Sequence, residues 1–416
     1  MKRWTIRGRS IPRALLTGLA VTFTAQLGAA AVLTAVDAVR KKREGPHGGF
    51  PSLPPQRATV HKTELTTYTE GATLYEDMLR AIREAKSLIL FESYIWKDDP
   101  VGRQFKAELT AAAHRGVEVF IIYDTFANLV VSPAFKRFDP ALHVLPFPLI
   151  RPGLLTLNPR HAGRDHRKIL VVDEEIGFVG GFNIGKLYAD TWRDTHVRLV
   201  GPSVWELTNA YVDFWNAYRK RHHPVLPDRG AKSWDSRVRA ALNMPNRMMF
   251  PIRGLYLDAI DRADHHVLIT QGYFLPDEDI TAAIIAACKR GVDVRIIVPR
   301  VSNHVVADWV SRGYYETLLK AGARIFLYRE AMVHAKTATV DGRWTTVGTT
   351  NIDRLSMLGN FEINLEIFDA DQARVMERVF HTDLTNCEEL ELARWEHRAR
   401  WKRVLERFLR PLRPLL

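Results

Sequence analysis

The segment from His166 to Asn183 occurs twice in this chain, and a repeated, gap-free pattern limits the possible folds more than any other feature. His166, Lys168, Asp173, Gly180, Gly181 and Asn183 return as His334, Lys336, Asp341, Gly348, Thr349 and Asn351, each shifted by 168 positions. Two acids keep the register: Asp194 and Glu362 each follow their histidine by 28 residues. One His-x-Lys is noise. Its return at matched spacing predicts two copies of one folding unit and one site built from both.

The surroundings of the two copies share a grammar. Leu74, Met78, Leu79, Ile82 and Ala85 recur at helical spacing, which predicts a helix over 74–85. A strand is expected over 87–95, a helix over 103–115 stopped by Gly116, and an apolar strand over 117–123. In the second half a helix near 252–263, a strand at 266–270, a helix ending at Arg290-Gly291 and a strand over 292–298 repeat that order. Such alternation implies an α/β fold, a sheet covered by helices. The expected domains are residues 58–230 and 231–390, joined where Pro224, Pro227, Asp228, Arg229 and Gly230 break the pattern. A Pro/Gly linker at 45–57 precedes them, and a helix is expected from Asp369 to Cys387. An apolar loop between Pro146 and Pro159 reads either as core or as a lining for an acyl chain or the membrane interface.

The motif has definite chemical capacity. Residues two apart on a strand face the same way, so His166 and Lys168 project together ahead of the apolar run 169–172. The chain turns at Asp173-Glu174-Glu175 and returns through 176–179, which brings Asn183 beside the pair. Lys336 and Asn351 take the same places in the second copy. Two such halves facing each other make a phosphate site. Lys168, Lys336, Asn183 and Asn351 would hold the non-bridging oxygens, one histidine would attack phosphorus, and the other would protonate the leaving oxygen. Asp194 and Glu362 are candidates to orient the imidazoles, each serving either its own histidine or the other half's. No cofactor is required, and no metal, because lysines supply the positive charge. The bland alternative is that a lone His in an apolar strand is a satisfied core residue; the matched constellation reverses it. Asp173 and Asp341, at turns after apolar strands, read as structural. His222-His223 and His265-His266 read as surface pairs.

His-x-Lys-x4-Asp-x6-Gly-(Gly/Ser/Thr)-x-Asn in duplicate resembles the signature of the phospholipase D superfamily, and within it the chain looks like the bacterial cardiolipin synthases. The likeness extends to Arg164-Asp165-His166-Arg167-Lys168, Trp192-Arg193-Asp194-Thr195-His196, Tyr273-Phe274-Leu275-Pro276, Tyr314-Tyr315-Glu316 and Asn360-Phe361-Glu362. It implies two phospholipase-D-like domains, each a mixed β-sheet flanked by helices, related by a pseudo-twofold around one shared site. It also implies a metal-free phosphohistidine mechanism, with His166 the nucleophile, His334 the acid, and the acids exchanged across the dyad. The activity implied is transfer of a phosphatidyl group from phosphatidylglycerol to a lipid hydroxyl. The near rival is phospholipase D hydrolysis and the distant one is a nuclease of the same superfamily. Two positions depart from the pattern: Gly181 stands where Ser is common, and Leu355 where an Arg is often found.

Charge decides between lipid and nucleic acid. The net charge is +12, but residues 1–44 hold nine Lys/Arg against Asp37 and Glu44, and residues 394–416 hold eight against Glu396 and Glu406. The body is therefore near neutral, at about −1, and lacks the basic footprint of a duplex binder. No nucleic-acid partner is expected. Two cysteines, Cys288 and Cys387, exclude a disulfide framework. Residues 14–36 carry no charge and are long enough to cross a bilayer. They are expected to form a single N-terminal pass in a bacterial inner membrane, with a cleaved signal peptide or a buried helix as the alternatives. The tail 391–416 reads as a basic amphipathic helix for an anionic surface, or else as a charged helix packed on the body. Which side of the membrane the site faces stays open.

Overall fold

The computed structural model describes residues 5–6, 9–10, 13–44, 49–149, 163–228, 230 and 236–415, with side chains of the N-terminal helix from Thr24 to Val39. A two-residue pair, β1 (Thr5–Ile6) and β2 (Arg9–Ser10), precedes α1 (Arg13–Glu44). The first domain then runs through β3 (Gln56–Val60), β4 (Thr63–Tyr68), α2 (Gly71–Glu84), β5 (Leu88–Ser93), α3 (Pro100–His114), β6 (Glu118–Asp124) and β7 (His143–Phe147). It continues with β8 (Ile169–Val172), β9 (Ile176–Gly180), α4 (Lys186–Asp190), the short β10 (Trp192–Arg193), β11 (His196–Val200) and α5 (Val204–Tyr218).

The second domain follows as β12 (Val238–Asn243), α6 (Pro251–Asp261), β13 (His266–Gln271), α7 (Glu278–Lys289), β14 (Asp293–Pro299), α8 (Val305–Ala321) and β15 (Arg324–Tyr328). After the short β16 (Met332–Val333) come β17 (Lys336–Val340), β18 (Trp344–Gly348), α9 (Arg354–Leu358), β19 (Glu362–Phe368), α10 (Ala370–Leu384) and β20 (Cys387–Glu389). The tail holds α11 (Leu392–Glu396) and α12 (Arg400–Leu409).

The strands form two eight-stranded sheets of matching order, β3-β4-β11-β9-β8-β5-β6-β7 and β12-β19-β18-β17-β13-β14-β15-β20. In each, three neighbours are parallel (β5, β6, β7 and β13, β14, β15) and the motif hairpin joins antiparallel, β8 on β5 and β17 on β13. The parallel strands read as unbroken apolar runs because helices cover both faces. Local signals place the crossover helices. Asp99 and Asp277 cap α3 and α7 by accepting from Gly102 N and Ile280 N, and Gly116 and Gly291 end the connections at φ near +90°, a region that favours glycine.

A shared core joins the domains. Tyr211, Phe214 and Trp215 of α5 pack in one cluster with Val347, Phe361, Ile363 and Leu365 of the second half. A buried ion pair crosses the same boundary: Arg193 donates through Nε and Nη2 to Asp383 at 2.8 and 2.7 Å. β10 pairs in parallel with β16, one strand from each half.

Several expectations need correction. The tail is not one surface helix: it breaks between α11 and α12, and Leu409 and Leu412 are buried against Leu275, Ala307 and Val310. The packed-on-body alternative is the observed one. Hydrophobic spacing gave the apolar face but not what covers it. The helix after Asp369 stops at Leu384, and Cys387 lies in a strand paired with Tyr328. His223 is 7% exposed and stacks on Trp215, while His266 is half-buried and paired with Glu377. The 146–159 loop lies mostly outside the described residues. Among the described residues no helix is long and apolar enough to cross a membrane. The second half of α1 touches the body: Gln26 Nε2 donates to the Phe408 carbonyl at 2.8 Å, and Ala29, Ala30 and Leu33 lie against the cluster containing Val310 and Leu409.

Candidate active site

Each motif hairpin delivers its residues to the seam between the domains, where His166, His334, Asn183 and Asn351 line one cavity of about 640 Å³. Three backbone hydrogen bonds hold the seam. His166 N donates to Phe361 O at 3.0 Å, Phe361 N donates to Arg164 O at 2.9 Å, and His334 N donates to Arg193 O at 2.7 Å. Phe361 and Arg193 each precede an acid. So the segment that grips one histidine's backbone presents its next side chain to that histidine's ring.

The consequence is an exchange across the two halves. His166 Nδ1 lies 3.0 Å from both carboxylate oxygens of Glu362, and His334 Nδ1 lies 2.7 Å from Asp194 Oδ2. An acid at Nδ1 fixes the tautomer that leaves Nε2 for the cavity. Beneath the rings, Lys168 Nζ donates to His166 O at 2.5 Å and Lys336 Nζ donates to His334 O. Asn183 Oδ1 accepts from Ile95 N at 3.2 Å. Asn351, 3% exposed, has no partner for Oδ1 within the described structure.

The electrostatics follow from burial. Desolvation, then Lys168 for His166 and Lys336 for His334, holds both imidazoles well below their usual pKa, so the rings are neutral. Burial also lowers Lys168 to about 8 and Lys336 to about 7, with Glu362 and Asp194 respectively opposing. Both carboxyl groups are pushed up by burial, Glu362 to about 8. The lysines and acids of the seam oppose the desolvation of one another, which makes the burial tolerable.

The two halves differ where the sequence departs from the pattern. A Cβ built on Gly181 would sit 2.0 Å from Asp194 Oδ1. The carboxylate occupies the space that a side chain at 181 would need. In the other half Thr349 Oγ1 donates to Glu362 Oε2 at 2.5 Å. The short acid is thus matched with glycine and the longer one with threonine. Leu355 lines the cavity and is exposed.

Asp173 and Asp341 lie at the far ends of the motif strands. Asp173 accepts from the backbone of Lys86, Ser87 and Leu88, and Asp341 from Asp264, His265 and His266. They clamp turns. Other neighbours of the site include Trp192 and Tyr273, which lie in stretches that carry the resemblance, and Tyr94, which sequence reading missed. Tyr94 packs edge-on to His166 with ring centroids 4.7 Å apart, Trp192 lies 4.8 Å from His334, and Tyr273 lies 5.9 Å from it. Tyr94 and Tyr273 both follow the first parallel strand of their sheet, a placement visible only once the strands are aligned. Behind His166, Arg167 is buried with Asp165 and Glu92.

Residues 78–214 and 256–384 match the family described as "Cardiolipin synthase, PLD-like domain". A cardiolipin synthase of Staphylococcus aureus is 34% identical over 365 residues, 85% of this chain and 74% of its own length. The major cardiolipin synthase of Bacillus subtilis is 33% identical over 365 residues, 84% of this chain and 74% of its own. Among solved structures, the phosphatidylserine synthase of Haemophilus influenzae superposes with a TM-score of 0.67 at 15% identity, covering 91% of this chain and 100% of that one. This last is a likeness of fold.

Proposed function

We propose, on the premise that this chain belongs to the cardiolipin synthase family of phospholipase-D-like enzymes, that it moves a phosphatidyl group from phosphatidylglycerol to a lipid hydroxyl through a phosphohistidine. The observation that carries the reading is the pair of crossed His–acid contacts facing one cavity above two buried lysines.

In the first step His166 Nε2 bonds to phosphorus and the bond from phosphorus to the head-group oxygen breaks. His334 gives that oxygen its proton, and glycerol leaves. The negative charge of the bound phosphodiester offsets one of the lysines, and in that charge state His334 holds a proton. In the second step the acceptor lipid's hydroxyl attacks phosphorus, its proton passes to His334, and the bond to His166 breaks. One phosphodiester replaces another, so no nucleotide enters. Lys168, Lys336, Asn183 and Asn351 hold the non-bridging oxygens as the pentacoordinate phosphorus forms. Asp194 and Glu362 set the tautomers and do not react.

We place the enzyme at the bacterial inner membrane. Gln26, Ala29, Ala30 and Leu33 of α1 touch the body, and the exposed apolar side chains of Val32, Val36 and Val39 support contact of this helix with lipid. The test is mass spectrometry of lipids after purified protein meets phosphatidylglycerol vesicles. Cardiolipin with free glycerol is expected. Phosphatidic acid as the sole product would make the enzyme a hydrolase. The order of the histidines is checked by rapid quench with an aryl phosphatidyl ester, whose phenolate leaves without an acid. His334→Ala should keep a burst with phosphate trapped on His166, and His166→Ala should give none.

A further inference from the structure

The reaction cavity has a wall that the repeated domains do not supply. Leu27, Ala30, Thr34, Asp37 and Ala38 of α1 line it together with His166 and His334. These positions fall on one face of the helix, while Gln26, Ala29 and Leu33 bind the neighbouring face to α8 and α12. The helix is therefore seated by one face and lends the adjacent one to the site.

That face is mostly apolar, with the buried carboxylate of Asp37 as its one charged group. Thr34 donates its hydroxyl to its own helix, at Ala30 O, 2.8 Å away, which leaves its methyl group for the cavity. Beside α1 the lining continues with Leu275, Val305, Val306, Ala307 and Leu412. Leu27, 48% exposed, carries the apolar surface out to the mouth. The imidazoles and amides of the reaction centre, His166, His334, Asn183 and Asn351, line the same cavity. A cavity with phosphate-binding groups and one long hydrocarbon wall suits a diacyl phosphodiester better than a soluble one.

We propose that α1 is a substrate-binding element, and that its Leu27, Ala30, Thr34 and Ala38 face forms the wall along which an acyl chain of the phosphatidyl donor lies. This rests on the phosphatidyl-transfer reading. It gives the small side chains a purpose: they leave room for the chain beside the imidazoles. It also makes the N-terminal segment part of the specificity of the reaction as well as of its attachment.

The test is to fill the wall without touching the phosphate site. Thr34→Trp and Ala38→Trp replace exposed side chains, so the core is left alone; Val32→Trp, at a position 63% exposed and outside the cavity lining, is the control. Full-length variants are assayed on dioleoyl phosphatidylglycerol in mixed micelles and on bis(p-nitrophenyl) phosphate. The cavity variants should lose about tenfold or more in kcat/KM on the long-chain lipid, on the scale of excluding a few methylenes, and stay within about twofold on the aryl diester. Val32→Trp should change neither. Unchanged lipid turnover in Thr34→Trp and Ala38→Trp overturns the inference, as does an equal loss on both substrates or an equal lipid loss in Val32→Trp. Failure of the functional reading looks different: wild-type protein would cleave the aryl diester and turn over no long-chain lipid.

Discussion

Substituting Gly181 by alanine adds one methyl group, yet it should disable one half of the site. The new Cβ would lie 2.0 Å from Asp194 Oδ1 and 2.6 Å from its Cγ. Ordinary contact starts near 3.4 Å, so the carboxylate must retreat by roughly 1.4 Å. The 2.7 Å contact from His334 Nδ1 to Asp194 Oδ2 has no such slack, and it would stretch past the hydrogen-bonding limit. Asp194 is also held from behind, since its Oδ1 accepts from Thr195 N at 2.7 Å. Losing a hydrogen bond to a charged partner costs about 1.5–3 kcal/mol, or roughly 10- to 150-fold in rate where the bond matters to the transition state. Initial rates of phosphatidylglycerol turnover, compared with rates on an aryl ester, provide the assay. Gly181→Ala should lose that factor on the natural lipid and much less in the first-turnover burst on the aryl ester, because expulsion of the phenolate needs no proton from His334. Activity within about twofold of wild type on the natural lipid would sink the reasoning, since the clash would then relax without moving the acid. The matched pair in the other half supplies a second check. Combining Gly181→Thr with Asp194→Glu recreates the Thr349–Glu362 arrangement, so the double variant should exceed Gly181→Thr alone; strictly additive losses would reject the matching of acid length to motif residue.

Three further outcomes are expected. Because burial and the neighbouring lysines keep His166 and His334 neutral, kcat/KM on a soluble aryl diester should show no acid limb near pH 6.5; it should fall on the alkaline side as Lys336 (about 7) and Lys168 (about 8) lose their protons and their charge. A limb at the ordinary histidine pKa contradicts this. Exhaustive EDTA treatment should leave turnover intact, since lysines stand where a divalent ion would require carboxylates; loss restored by Mg²⁺ or Ca²⁺ refutes it. Asp383→Ala leaves the Arg193 guanidinium, 1% exposed, without its bidentate partner, and should cost about 3–5 kcal/mol in urea unfolding; a change under about 1 kcal/mol shows that water or a shift of the seam replaces the pair.

What the sequence determined was whatever repeats or lies close along the chain. The 168-residue offset exposed both motif copies because spacing survives in one dimension, and the i, i+2 placement of His and Lys needs only a strand to align them. The parallel strands and crossover helices were legible from apolar runs, helical spacing and terminal glycines, all of them local signals. The exchange of acids was not legible from spacing, because Asp194 and Glu362 are equally far from their own histidines along the chain. Backbone hydrogen bonds across the seam, from His166 to Phe361 and from His334 to Arg193, decide the partner. The departure at Gly181 could be read but not explained, since the atom that needs the empty space belongs to Asp194. The N-terminal helix marks the limit most clearly. An uncharged run of 23 residues says that a surface must be hidden from water, but lipid and protein are alike to that criterion. Only the packing of Gln26, Ala29 and Leu33 on the body turned part of it into a wall of the site.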